Sequence, residues 1–303
     1  MRILFMGTPE FAVPCLEALI AAGHTVCGVF TQPDKPKGRG YTLTPPPVKK
    51  TALEHQIPVY QPKTLRDEAV QQQIRALLPA CIVVVAYGKI LPPAVLQIPP
   101  HGCINVHASL LPAYRGAAPI QWAVLNGDKE TGVTTMYMAE GLDTGDILLQ
   151  QATPIGPEET AGELHDRLAV LGAELLCKTL SQLSEITPRP QGEATTPYAS
   201  MLDKSLSPID WNLPAQKIHD QIRGLSPWPA ATATLSGKLL KVFESRVVDD
   251  APQDAPGTIH EAFVVTCGNH TALQLLRVQL AGKKAMDAQT FLRGHPLAGK
   301  QFS

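Results

Sequence analysis

Met1-Arg2-Ile3-Leu4-Phe5-Met6-Gly7-Thr8-Pro9-Glu10-Phe11-Ala12 opens the chain with a short apolar run that stops at Gly7 and passes through Pro9 into a helical pattern over residues 12–22. An unbroken apolar run of this length fits a strand buried on both faces, and the helix after it fits a crossover connection. Further apolar runs at residues 26–30, 81–86, 104–107, 133–138 and 147–150 repeat the theme, with a second helical pattern at 65–78 between them. A third covers residues 160–183, where Leu164, Leu168, Leu171, Leu175 and Leu176 fall near helical spacing and Thr160 with Glu163 forms a capping box. The alternation predicts an α/β fold with a Rossmann-like, mostly parallel sheet and helices on both faces.

Beyond residue 187 the composition changes. Pro188, Arg189, Pro190, Gly192 and Pro197 describe an extended connector. From residue 205 one helix-like segment, 214–223, precedes β-like runs at 231–235, 239–247, 262–267 and 272–280, which predict a small β-barrel. The expected division is a first domain at 1–187, a linker at 188–204 and a second domain at 205–303.

The 303 residues, 44% hydrophobic and 17% charged, describe a globular chain long enough for two cores. Six cysteines are scattered without a C-x-x-C pair, which argues against a zinc clip or a disulfide framework and reads them as small buried hydrophobes. The first apolar run is too short for a signal peptide, and the run at 81–86 ends at Tyr87, Gly88 and Lys89, far short of a membrane span. A soluble, cytoplasmic protein is expected. The net charge of −1 argues against a general nucleic-acid coat. Between residues 31 and 50, however, Lys35, Lys37, Arg39, Lys49 and Lys50 face a single acid, Asp34, so any polyanion contact should be local.

Gly7 follows a strand and precedes a helix, but Gly7-Thr8-Pro9-Glu10 lacks the glycines that let backbone approach a pyrophosphate, which disfavours a dinucleotide enzyme. The chemistry gathers instead in Gly102-Cys-Ile-Asn105-Val-His107-Ala-Ser109-Leu-Leu-Pro112-Ala-Tyr-Arg115-Gly116. Residues two apart on a strand share a face, so Asn105 and His107 stand together at a strand's carboxyl end, where open α/β sheets bind ligands. Taken alone, such a pair is more often a turn residue and a satisfied core histidine. Gly141-Leu-Asp143-Thr-Gly145 shifts the balance, because glycines flanking an acid make a loop able to bring Asp143 over the same edge. Amide, imidazole and carboxylate then compose an acyl-transfer constellation with no serine or cysteine nucleophile beside them.

Asn105-x-His107, then Ser109-Leu-Leu-Pro112, then Asp143, resembles the signature of the 10-formyltetrahydrofolate-dependent formyltransferases. The resemblance extends over essentially the whole chain, with Ala108 standing where the family often shows glycine. It implies Asn105, His107 and Asp143 as catalytic residues and Ser109, Leu110, Leu111 and Pro112 as the segment against which the folate lies. It also implies 10-formyltetrahydrofolate as a consumed cosubstrate and no metal.

Thr31-Gln-Pro-Asp-Lys35-Pro-Lys37-Gly-Arg39-Gly40 resembles the flexible basic loop of the branch acting on methionyl initiator tRNA. On that likeness Lys35, Lys37 and Arg39 contact tRNA. Ile209-Asp-Trp211 with Ser226-Pro-Trp-Pro229 resembles the opening of an appended OB-like barrel, and Ala281-Gly-Lys-Lys284-Ala-Met286 is closer to the tRNA branch than to its relatives. A monomer is expected. The competing readings are a formyltransferase for a nucleotide-sugar or purine-precursor amine, against which the basic loop speaks, and an RNA-binding scaffold with an eroded core, against which the intact Asn105, His107 and Asp143 speak.

Overall fold

The computed structural model describes residues 1–37, 42–249 and 252–302. In chain order, β1 (Arg2–Gly7), α1 (Val13–Ala21), β2 (Thr25–Phe30), β3 (Lys35–Lys37), β4 (Thr42–Thr44), α2 (Pro47–Glu54) and β5 (Val59–Tyr60) come first. Next are α3 (Glu68–Ala76), β6 (Cys81–Val85), α4 (Pro93–Leu96), β7 (Cys103–His107), α5 (Pro119–Leu125), β8 (Glu130–Tyr137) and β9 (Ile147–Pro154). The remainder comprises α6 (Ala161–Ser181), α7 (Ala215–Gly224), β10 (Ala231–Leu235), β11 (Lys238–Val248), β12 (Val264–Cys267), β13 (Thr271–Leu280), β14 (Met286–Asp287) and α8 (Ala288–Gly294). These elements form two compact units. The first comprises Met1–Gly116, Gly132–Thr153 and His165–Tyr198, and the second Ala117–Thr131, Pro154–Leu164 and Ala199–Ser303.

The first unit is built on a seven-stranded sheet of order β5-β2-β1-β6-β7-β8-β9. Every pair from β5 to β7 is parallel, and β8 alone runs antiparallel to β7. Ile3, Leu4, Phe5 and Met6 are wholly buried, as an apolar run covered on both faces requires. Chain order reverses between β1 and β6, so the carboxyl ends of the parallel strands open a crevice at one edge. Helix α6 covers one face, and its start carries the expected capping box: the Glu163 N–H donates to Thr160 Oγ1 at 3.2 Å and the Thr160 N–H to Glu163 Oε2 at 2.9 Å. A Cβ on Gly172 would stand 3.0 Å from Val106 Cγ1, so glycine lets this helix press on β7. Side chains alternate along a strand, and Val106 points to α6; Asn105 and His107 therefore face the other way.

Tertiary contact decides the elements that sequence pattern left out. The two residues of β5 exist as a strand only by pairing with β2. Within the basic stretch, β3 pairs antiparallel with β4, Lys35 opposite Thr44 and Lys37 opposite Thr42, so part of the expected flexible loop is a short hairpin.

In the second unit β10, β11, β13 and β12 form an antiparallel sheet with β14 added to β13, curled into a half-barrel as the expected barrel-like second domain. Its concave core takes Leu240, Val242, Val265, Leu273, Leu275 and Val278, and α7 buries Ile218 and Ile222 against it. The run expected as a strand from 262 starts at Val264, because Ala262 and Phe263 have φ of 55° and 57° inside a single helical turn. Helix α7 also carries a buried ion pair. Arg223 Nε donates to Asp220 Oδ1 at 2.8 Å, and Arg223 Nη1 reaches the carbonyls of Gly156 at 3.3 Å and Glu159 at 3.2 Å. Among the described residues no helix is long and apolar enough to cross a membrane.

Candidate active site

Asn105 and His107 project from the last turn of the β7 pleat, 8% and 6% exposed. The Asn105 side chain makes no hydrogen bond to any described residue, so its amide donors remain available to a ligand. His107 is held from two sides: Nε2 lies 3.0 Å from the Tyr114 carbonyl and Nδ1 lies 3.7 Å from Asp143 Oδ1. A carbonyl can only accept, so Nε2 carries a proton. The distance from Nδ1 to the carboxylate is too long for a direct bond, which leaves Nδ1 as the ring atom able to meet a reacting group.

Asp143 reaches this position by an indirect path. Because β8 is antiparallel to β7, Tyr137 ends beside Ile104, and the loop that follows must double back along the sheet to approach His107. Asp143 itself adopts φ 53°, a left-handed conformation that non-glycine residues accept only where their surroundings impose it. Gly145 is obligatory in this loop, since a Cβ there would lie 1.8 Å from the Tyr137 carbonyl oxygen. The Gly116 N–H donates to Asp143 Oδ2 at 2.9 Å. Gln191 Nε2 donates to the carbonyls of Asp143 at 2.9 Å and Gly145 at 2.7 Å, while Gln191 Oε1 accepts from Arg115 Nε at 3.1 Å and Nη2 at 2.8 Å.

The turn after β7 is fixed from within. Ser109 is fully buried and its hydroxyl donates to the Ala113 carbonyl at 2.6 Å. Leu111 packs with Met136 and Ile147, its N–H donates to Thr134 Oγ1 at 3.1 Å, and Gln150 Nε2 donates to its carbonyl at 2.9 Å. Leu110 and Pro112 keep accessible surface, so of the expected folate-contacting segment these two side chains can touch a ligand and the other two shape the turn.

Two models of known families match the chain: Formyl transferase over residues 1–180, and Formyl transferase, C-terminal domain, over residues 201–296. The methionyl-tRNA formyltransferase of Alkaliphilus oremlandii is 52% identical over 98% of this chain and 97% of its own length. That of Trichlorobacter lovleyi is 54% identical over 98% of this chain and 95% of its own. The chain belongs to the formyl transferase family. Its fold also matches a crystallised sugar 3N-formyl transferase studied with dTDP and 5-N-formyl-THF, at 19% identity and a TM-score of 0.69 over 94% of this chain and 99% of that one.

This formyl transferase presents no thiol nucleophile near its site. Burial pushes the Cys81, Cys103 and Cys267 thiols up to about 12, and raises Cys15, Cys27 and Cys177 as well, away from the thiolate form at neutral pH. Of the basic cluster, Lys35 is exposed on β3, whereas Lys49 is committed to Asp34 at 2.8 Å. The hydrogen bond from Lys49 holds the Asp34 carboxyl below its ordinary range. Lys37 lies in β3, and Arg39 lies outside the described residues. Sequence pattern gave no sign of Gln191, which sits in the proline-rich stretch with the composition of a linker.

Proposed function

We propose that this formyl transferase moves the formyl group of 10-formyltetrahydrofolate onto the α-amino group of methionyl initiator tRNA, with Asn105, His107 and Asp143 as its catalytic residues. The observation that carries this reading is the convergence of an unpartnered Asn105 amide with the His107–Asp143 pair on one face of the sheet. As the amine attacks the formyl carbon, negative charge gathers on the formyl oxygen, where the Asn105 amide and the Nδ1–H of a protonated His107 meet it. A donor in such a place is worth about 3 to 4 kcal/mol at the transition state. Asp143 accepts the proton that the amine must lose, directly or through a water, and that proton leaves on the departing folate nitrogen. The resemblance of the relatives to this chain over their full length favours the tRNA amine over a sugar or purine amine. The reading is tested by offering formyl donor with charged initiator tRNA and with free methionine; only the tRNA should be formylated, and equal use of the free amino acid would defeat it.

The folate fits an accessible apolar strip at Leu110 and Pro112 beside polar donors. Exposed Ile90, on the loop after β6, and Leu142, beside Asp143, add further apolar surface on neighbouring loops. Leu110→Asp should weaken donor binding at least tenfold, because a charge would be desolvated against an aromatic ring. Unchanged donor affinity in a direct titration would move the folate elsewhere.

On the same reading Lys35, Lys37 and Arg39 contact tRNA phosphates, the residues 205–303 form an appended tRNA-contacting domain, and the enzyme works as a cytoplasmic monomer. The exposed cations Lys238, Arg246, Arg277, Lys283 and Lys284 of the second unit suit that contact. Lys35→Ala combined with Lys37→Ala should raise the KM for tRNA and flatten its dependence on salt, since fewer counterions are released. Donor binding should be unaffected. A change in the donor term alone would make this hairpin a folate lid.

A further inference from the structure

We infer that Gln191 is a positioning residue for the formyl-transfer reaction: it acts through Asp143, by holding the carboxylate-bearing loop in the strained form that faces His107. The inference rests on the role proposed above for Asp143.

The geometry is specific. One amide nitrogen, Gln191 Nε2, donates its two hydrogens to two main-chain carbonyls of a single tight loop, Asp143 at 2.9 Å and Gly145 at 2.7 Å, with the weakly accepting Met136 Sδ alongside at 3.9 Å. The amide oxygen accepts two bonds from Arg115, whose Nη2 also donates to the Gly192 carbonyl at 2.9 Å. The side chain is therefore saturated, and it joins the loop after β8 to the loop after β7. Arg115 precedes Gly116, whose N–H holds Asp143 Oδ2. Asp143 is thus gripped at its backbone carbonyl by Gln191 and at its side-chain carboxylate by Gly116, and both grips trace to the segment around Arg115. A residue at φ 53° keeps that conformation only while its surroundings over-determine it. Without the Gln191 donors, the Asp143 and Gly145 carbonyls lose the partner that draws them together, and the loop can relax to an extended form that takes the carboxylate away from Nδ1.

Chain connectivity supports a dedicated role. Arg189 and Ile147 exchange backbone hydrogen bonds at 2.8 and 2.9 Å, which pins the segment carrying Gln191 beside the start of β9, just past the Asp143 loop. Thr196 Oγ1 accepts from the Tyr114 N–H at 2.6 Å, and the Tyr114 carbonyl is the partner of His107 Nε2. Residues 189–196 therefore brace both members of the His107–Asp143 pair, with Gln191 on the acid.

The test is a double-mutant cycle on the full-length enzyme, read in kcat, in the KM values for donor and acceptor, and in the thermal midpoint. Gln191→Ala should lower kcat by about ten- to a hundredfold, the scale expected when a catalytic group is displaced by an ångström or so. The two KM values should change by less than threefold, because the amide nitrogen and oxygen of Gln191 are already engaged by the protein. Gln191→Glu keeps the volume and strengthens the bond to Arg115 but turns an acceptor toward two carbonyls; it should lower kcat as far as alanine does while remaining folded. In an Asp143→Asn background either Gln191 substitution should cost nothing further in kcat, as expected for residues that act as a unit. A structural brace unconnected with Asp143 would instead give additive losses in the two backgrounds. Additive losses, or normal turnover in both Gln191 variants, overturn the inference and leave the role of Asp143 standing. Normal turnover in Asp143→Asn alone overturns the role of Asp143, and the positioning role with it. If Gln191→Ala is recovered unfolded, the Glu variant decides the cycle.

Discussion

Replacing Asn105 by alanine is expected to cut turnover by about a hundredfold or more while leaving the fold intact. The Asn105 amide has no partner among the described residues, so truncating it orphans no buried group and should leave the thermal midpoint within a degree or two. Its loss removes only a donor aimed at the ligand. His107→Ala and Asp143→Ala should reach similar losses, but each also strands a partner, the Tyr114 carbonyl in one case and the Gly116 N–H in the other. Single-turnover rates at saturating donor separate the contributions from binding. A variant at any of these positions that turns over near the wild-type rate would remove that residue from the chemistry, and a parallel fall in thermal midpoint for Asn105→Ala would assign it to the fold.

The largest effect on stability is expected from the second unit. Asp220 and Arg223 are each 3% exposed in their side chains, and Arg223 also satisfies the carbonyls of Gly156 and Glu159. Arg223→Ala leaves a carboxylate buried without its counter-charge and removes the guanidinium donor from the Gly156 and Glu159 carbonyls. Breaking such a pair from one side costs about 3 to 5 kcal/mol, which lowers the melting temperature by roughly 10 °C in a domain of this size. Removing both partners should cost less than removing arginine alone, because the stranded charge goes with it. If calorimetry finds the double alanine variant as unstable as the sum of the singles, the two residues act through packing and not through charge.

The strands that carry the site were legible because they are apolar runs of the right length between helical patterns. β1, β2, β6 and β7 all fall where those runs lie, and the spacing of Asn105 and His107 placed them on one face. The closeness of Asp143 was also readable from its flanking glycines, but not its route, which depends on β8 running antiparallel to β7. Short elements were illegible for a physical reason: β5, β3 and β4 hold two or three residues each and owe their form to a neighbour, not to local preference. Helix α8 was missed because the sequence around 288–294 carries only Ala288 and Phe291 as buried residues, too few to mark a period. Ser109 and Leu111 could be assigned to the turn but not to its interior, since the pattern does not tell which side chains of a turn point inward. Gln191 was invisible because its partners lie 46 to 76 residues away in sequence and it sits between Pro190 and Gly192, in a stretch with the composition of a connector.

The bracing of the His107–Asp143 pair by residues 189–196 sets where this polypeptide can be recombined with a relative. A crossover placed where the helical pattern ends and the prolines begin would import a foreign partner for the acid loop and mismatch the centre of the chemistry. A seam placed after Tyr198 keeps the braces of residues 189–196 with the loops they hold. The proline-rich stretch thus travels, as heritable cargo, with the catalytic half of the molecule.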